Sequence, residues 1–260
     1  MLLKNILVHL DQSPQSENRF ELALSLARKH QTQLTTYFTT ATHYLLQGGE
    51  QQLWEEVRSD CTTRAAAADV KLNWAESDEV EAILPLTTRI RYQATYADLC
   101  IIGQPGKQPP PPKDLPEQLI LYSGHPVITI PFAGQFKTIG ERVMISWKAG
   151  RAAARAVSDA LPILVRAKEV ILISFSTDNE MWKENDRTLR KAAGYLQQHG
   201  VDVRFENRLI NNISVGDALL NRAADEAVDL LVCGGMVTSQ LAPLANHLLK
   251  QMTVPVLMSS

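Results

Sequence analysis

Ala97-Asp98-Leu99-Cys100-Ile101-Ile102-Gly103-Gln104-Pro105-Gly106 and its echo, Val228-Asp229-Leu230-Leu231-Val232-Cys233-Gly234-Gly235, decide the fold of this chain. Each is an acidic residue, a short apolar run and a glycine. Asp98 and Asp229 stand 131 positions apart (98 and 229). An apolar run of this length predicts a strand buried on both faces, as in a parallel sheet. A glycine at the carboxyl end of such a strand marks the edge at which open α/β sheets receive ligands.

The same offset of 131 relates Val70 to Val201 (70 and 201). Pro126-Val127-Ile128 matches Pro255-Val256-Leu257 at 129, and Ile6 matches Val143 at 137. Offsets that drift by a few residues are the mark of loop insertions between two copies of one unit. Around the anchors, strands alternate with helices. Lys4 to Leu10 predicts a first strand, and Phe20, Ala23, Leu24 and Ala27 fall on one helical face. Leu34 to Phe38 predicts a strand, and Gly48-Gly49 breaks a loop before a helix over Glu50 to Ala68. Val70, Leu72 and Trp74 alternate as a third strand within Asp69 to Trp74. Glu79 to Tyr96 predicts a helix that Pro85 kinks or delays. A run of four prolines, Pro109 to Pro112, favours a stiff exposed polyproline segment. A short helix over Leu115 to Tyr122 and a strand over Pro126 to Pro131 close the first copy, and Phe132 to Gly140 is a linker.

The second copy restarts with a strand at Arg142 to Trp147 and an alanine-rich helix at Arg151 to Val165, distorted near its end by Pro162. A strand at Val170 to Phe175 and a helix at Glu180 to His199 follow. Val201, Val203 and Phe205 repeat the alternation of the first copy. Ser214-Val215-Gly216-Asp217 has the form of a capping box with Asp in place of Glu. After the second anchor come a helix from about Gln240 to Gln251 and a strand at Val254 to Met258. Strand–helix alternation with short links requires mainly parallel sheets covered by helices on both faces.

Composition excludes several classes. The chain of 260 residues is 45% apolar and 21% charged, which is globular and not disordered. A net charge of −2 argues against a nucleic-acid partner. The apolar runs all fall well short of the ~18 residues that cross a bilayer, so no membrane partner is expected. The amino terminus enters a strand at once, which predicts no signal peptide. Cys61, Cys100 and Cys233 are odd in number, form no CxxC, and read as buried hydrophobes in a reducing, cytoplasmic setting. The six histidines show no metal-ligand spacing, there is no G-x4-G-K-[ST] loop, and no G-x-S-x-G elbow surrounds Ser13. No catalytic residue and no metal ligand is assigned.

The sequence resembles the universal stress protein family in its tandem, bacterial, two-domain form. The resemblance rests on Asn5–Ser13, Ala97–Gly106 and His125–Ile128 in the first copy. In the second it rests on Ala152–Pro162, Val215–Asp225 and Leu248–Ser259. It implies two Rossmann-like domains of the adenine nucleotide alpha hydrolase type, over residues 1–133 and 140–260. Each would carry a five-stranded parallel sheet of order 3-2-1-4-5. It also implies that the two domains pair within the chain as a pseudo-dimer; a homodimer of the whole chain stays open.

Members of that family that bind ATP carry G-x2-G-x9-G-S/T after the fourth strand and an Asp after the first. The candidate nucleotide site here is therefore Asp11, Gly103 and Gly106. The remainder of the pattern fails. Ten residues after Gly106 stands Pro116, which has no N–H, then Glu117, whose charge repels phosphate. In the second copy Val237 replaces the second glycine, the segment is shortened, and Lys148 stands near the place of the first-strand Asp as a candidate anion contact. The expectation is a stress-response protein without enzymatic activity and without a bound cofactor, acting through partner or small-ligand binding. The alternatives are an ATP-binding switch or weak ATPase at Asp11, Gly103 and Gly106, and a carrier of an apolar ligand.

Overall fold

The computed structural model of the protein describes residues 3–40, 49–76, 81, 83–106 and 112–260. Contacts divide the chain between Lys137 and Thr138 into two compact units.

The first unit is built from β1 (Asn5–Leu10), α1 (Ser16–His30), β2 (Gln33–Phe38), α2 (Gly49–Ala67), β3 (Leu72–Trp74), α3 (Leu86–Ala94), β4 (Leu99–Gly103), α4 (Leu115–Tyr122) and β5 (Val127–Ile130). Its strands lie in the order β3-β2-β1-β4-β5, all parallel. β1 runs in register with β2 from Asn5↔Gln33 to Leu10↔Phe38, and with β4 from Ile6↔Leu99 to Val8↔Ile101. Residues on both faces of the central strands are buried: Ile6, Leu7 and Val8 on β1, and Cys100, Ile101 and Ile102 on β4, are no more than 2% exposed. The predicted α1 face is buried as well, with Phe20, Ala23, Leu24 and Ala27 all in the core.

The second unit repeats the plan with β6 (Arg142–Ser146), α5 (Arg151–Leu164), β7 (Glu169–Ser176), α6 (Asn179–Gln198), β8 (Arg204–Leu209), α7 (Val215–Asp225), β9 (Leu230–Gly234), β10 (Met236–Val237), β11 (Gln240–Leu241), α8 (Pro243–Gln251) and β12 (Val256–Ser259). Its parallel sheet has the order β8-β7-β6-β9-β12, while β10 and β11 form a separate antiparallel hairpin. Counting main-sheet strands from each unit's start, both sheets read 3-2-1-4-5.

The acidic residue of each anchor motif has the same structural task. Asp98 Oδ2 accepts the N–H groups of Lys4 (2.7 Å) and Asn5 (2.9 Å). Asp229 accepts those of Glu141 (3.0 Å) and Arg142 (2.9 Å). In each unit the fourth strand's leading carboxylate therefore holds the start of the first strand, at the sheet edge opposite the carboxyl ends of the strands.

Several boundaries differ from the sequence expectations. Within the stretch expected as one helix over Glu79 to Tyr96, a helix starts at Leu86 with Pro85 as its N-cap and ends at Ala94, while Glu81 is helical ahead of a turn at Ile83–Leu84; residues 79, 80 and 82 lie outside the described residues. The third strand of each unit is shorter or later than the alternation suggests. β8 begins at Arg204, leaving Val201 and Val203 as a buried lead-in outside the ladder, and β3 likewise omits Val70. The helix expected from about Gln240 begins at Pro243, because Gln240 and Leu241 pair with Val237 and Met236 in the hairpin. α5 continues past Pro162 to close with Val165 N–H on Leu161 O (3.0 Å). Only half of the capping box forms. Ser214 Oγ accepts the Asp217 N–H (3.0 Å), while the Asp217 carboxylate receives the Ser214 hydroxyl and not a backbone N–H. Residues 109–111 of the proline run, and Gly48, lie outside the described residues.

Candidate functional site

In the first unit the carboxyl ends of β1 and β4 converge. β1 ends at Leu10, and the next residue, Asp11, opens a tight turn into α1. Ser13 N–H donates to Asp11 Oδ1 (2.8 Å), and Asp11 N–H donates to Ser16 Oγ (3.1 Å). This is the local Asx-type chemistry that aspartate brings to a strand-to-helix turn. It fixes the carboxylate inward, with its side chain fully buried.

What meets the carboxylate is a side chain of the chain itself. Arg19, one turn into α1, places Nη2 2.9 Å from Asp11 Oδ2, and both side chains are sealed from solvent. Its Nε donates to the carbonyl of His9 at 2.6 Å. His9, two residues earlier on β1, is also fully buried; its Nε2 lies 2.8 Å from Thr39 Oγ1. Burial drives the His9 imidazole down to about 3, against the pull of Asp11 and with some help from Arg19, so the ring is neutral at physiological pH. For Asp11, burial pushes the carboxyl upward, but Arg19, His9 and the Ser13 hydrogen bonds outweigh it and hold the group below its ordinary value. The pair is thus a carboxylate and a guanidinium that neutralise each other inside the protein.

The guanidinium also explains Gly103, the last residue of β4. A Cβ at Gly103 would collide with Arg19 Nη1 and lie 3.1 Å from its Cζ. Gly103 is a glycine because Arg19 lies against it, so the first glycine of the G-x2-G pattern has a structural reason that involves no phosphate. The second, Gly106, is different: a Cβ there would meet nothing within 4 Å, and the residue is half-buried. Gln104, between them, is buried; its N–H donates to Ile130 O (2.7 Å) and its side-chain oxygen accepts from Phe132 N–H (3.1 Å). Further on, α4 starts behind Asp114 with Pro116 in its first turn and Glu117 as the acidic residue there. A helix N-terminus that already carries its own carboxylates offers little to a phosphate.

The second unit closes its corresponding edge by other means. Gly234, at the end of β9, faces the first turn of α5, and a Cβ there would lie 2.8 Å from both the carbonyl carbon and the Cβ of Ala152. Its neighbour Gly235 is held by the β12 end, with its N–H on Ser259 O (2.7 Å). The hairpin β10–β11 then stands where a phosphate loop would run, turning at Thr238 with φ of 60°. The left-handed residue is thus Thr238, while Val237 belongs to a strand. Lys148 is exposed in the stretch ahead of α5. The structure places Asp11 and Gly103 on either side of the Arg19 guanidinium, a residue the sequence expectation did not include. The signal was present: Arg19, Leu22, Ala23 and Leu26 share one helical stripe, and the last three are no more than 1% exposed. A cation on a buried stripe calls for a buried anion.

Among the described residues no group of three His, Cys, Asp or Glu side chains is placed to hold a metal ion, and no helix is long and apolar enough to cross a membrane.

No family model matches the sequence, and no curated protein matches it. Solved structures do. A universal stress protein from Archaeoglobus fulgidus DSM 4304 superposes with a TM-score of 0.76 over 98% of both chains, at 15% identity. A putative universal stress protein from Pseudomonas aeruginosa UCBPP-PA14 gives 0.61 over 99% of this chain and 93% of its own, at 16% identity. The cytoplasmic domain of a prokaryotic cation chloride cotransporter gives 0.57 over 98% and 95%, at 11% identity. At these identities the likeness is one of fold: the chain has the two-unit α/β architecture of these proteins. A fold shared with part of a transporter does not by itself select a function.

Proposed function

We propose that this chain is a tandem universal stress protein, one that works by binding a partner or a small ligand and has no enzymatic activity. The observation that carries the reading is the buried Asp11–Arg19 pair laid against Gly103. A nucleoside triphosphate held in the first unit would need the Asp11 carboxylate free and the backbone beside Gly103 uncovered. Both are engaged by Arg19. In the second unit, the contact of Ala152 with Gly234 and the β10–β11 hairpin speak against nucleotide in the same way. On this reading the two halves serve each other as two separate single-domain chains would, and sedimentation of the full chain tests whether a second copy joins.

The competing reading is an ATP-dependent switch or weak ATPase in the first unit. It draws on Gly106, which is open on its side-chain side. Thermal unfolding with Mg-ATP separates the two. A ligand present at ~100 times its Kd adds about 2.7 kcal/mol to stability, which moves a midpoint by several degrees. The expected result is an unchanged midpoint and no nucleotide released when the purified protein is acid-extracted. A clear upward shift, abolished by Gly106→Val, would replace this reading with the switch.

A further inference from the structure

Beside the Asp11–Ser13 turn, between α1, the end of β2 and α2, the first unit opens a cleft of about 520 Å³. That is within the range of small-molecule sites, roughly 300–1,000 Å³. Its floor is apolar: Phe20 and Leu10 are buried, and Phe38, Leu53 and Val57 form half-buried walls. Its rim is acidic, with Glu17, Glu56 and Asp60. Among its described lining residues the sole cation is Arg64, and that charge is spent: its guanidinium is 3.5 Å from Glu17, 3.0 Å from Asp60, and in contact with Glu21. Among the described residues Glu56 pairs with no cation; its Oε1 accepts from Gln52 (2.9 Å). The charge of Asp11, at the inner end, is answered from behind by Arg19.

A second observation shows what this surface holds well. The Arg64 guanidinium carbon lies 5.5 Å from the centroid of the Phe20 ring, within reach of a cation–π attraction, with carboxylates on its flanks. The chain has thus placed one of its own cations by aromatic face and carboxylate together, and Glu56 and the remaining apolar wall offer the same chemistry to another.

We propose that this cleft binds a small organic cation: an ammonium or amidinium group on an apolar body the size of an aromatic ring system. The proposal rests on the reading above, in which the first unit is not a nucleotide site, and it names the ligand class. The body removes apolar surface from water against Phe38, Leu53 and Val57, while the charged group sits at the rim toward Glu56 and Asp60. A nucleoside phosphate would bring several negative charges to the same three carboxylates, with no cation among the described lining residues left to receive them.

The test uses the full-length protein and three probes with one apolar body: tryptamine, the neutral 3-ethylindole and the anionic indole-3-propionate, followed by titration calorimetry and ligand-observed NMR at low and high salt. Tryptamine binds most tightly, its advantage over the anion shrinking at high salt. Glu56→Gln, an exposed change that keeps the Gln52 contact, weakens tryptamine about threefold, and Glu56→Gln with Asp60→Asn about tenfold, as loss of exposed charge pairs predicts. Val57→Trp fills the cleft and removes binding of the neutral probe as well. Failure of tryptamine to bind the unmodified protein, equal binding of indole-3-propionate, or indifference to the carboxylate changes overturns the proposal. Mg-ATP is titrated in parallel. ATP binding that tryptamine displaces overturns the non-nucleotide reading itself, whereas silence from both ligands removes the cation proposal and leaves that reading standing.

Discussion

Replacing Arg19 by methionine tests the central interaction most directly. Methionine keeps an unbranched apolar chain against Gly103 but removes the guanidinium, so the Asp11 carboxylate remains buried with its 2.9 Å partner gone and the His9 carbonyl loses its 2.6 Å donor. Breaking a buried pair by removing one member costs about 3–5 kcal/mol, most of it the expense of an uncompensated charge. Hydrogen exchange read by mass spectrometry locates the effect. Peptides from β1 and β4 gain roughly 10³-fold in exchange rate for a loss of ~4 kcal/mol, while peptides from β6 and β9 keep their protection. The pH dependence follows from linkage. In the unmodified protein Asp11 is held below its ordinary value, so the pair contributes fully above the unfolded carboxyl value, and the contribution fades as pH falls through the depressed native one. In Arg19→Met, burial acts unopposed by Arg19 and raises the native carboxyl above its unfolded value. The penalty is then full at neutral pH and shrinks on mild acidification, as the carboxyl takes up a proton. Arg19→Met combined with Asp11→Asn recovers more than half of the loss, because no buried charge is then left alone. A loss under ~1 kcal/mol, or an equal loss of protection in both units, would refute the claim that this ion pair organises the first unit.

Further outcomes follow from the same geometry. Gly103→Ala drives a methyl group into Arg19 and lowers stability by about 1–3 kcal/mol, whereas Gly106→Ala changes it by less than ~0.5 kcal/mol; paired urea titrations of the two variants check the contrast. Asp98→Ala and Asp229→Ala each free two backbone N–H groups at the start of a first strand, at about 1–2 kcal/mol apiece, with the loss of exchange protection confined to β1 in one variant and to β6 in the other. Burial pushes the thiols of Cys61, Cys100 and Cys233 up to about 12, so iodoacetamide labels none of them in the native protein at neutral pH and all of them in denaturant. Rapid native labelling at any one would show that its segment opens locally.

The duplicated α/β plan was legible in the sequence because central parallel strands are buried on both faces. Leu99–Ile102 and Leu230–Cys233 could hardly be anything else, and the constant spacing between them repeats the unit. Edge strands were read less well. Val201 and Val203 are buried although they lie outside the β8 ladder, while Phe205, inside it, is 36% exposed. Alternation in sequence reports burial, and burial and ladder hydrogen bonding part company at a sheet edge. The β10–β11 hairpin was invisible for a simpler reason: two-residue strands are shorter than any period that could reveal them.

The site divides along the same line. Sequence alone placed Asp11 after the first strand and Gly103 at the end of the fourth, because both positions are set by local strand and turn chemistry. It could not say what those residues are for. Gly103 and Arg19 are 84 positions apart (19 and 103), and the glycine's reason is the guanidinium that the fold brings against it. A residue's type reflects whatever approaches it through space, and where that neighbour comes from a distant part of the chain, only the packed structure decides between a cradle for a ligand and a slot for the protein's own side chain.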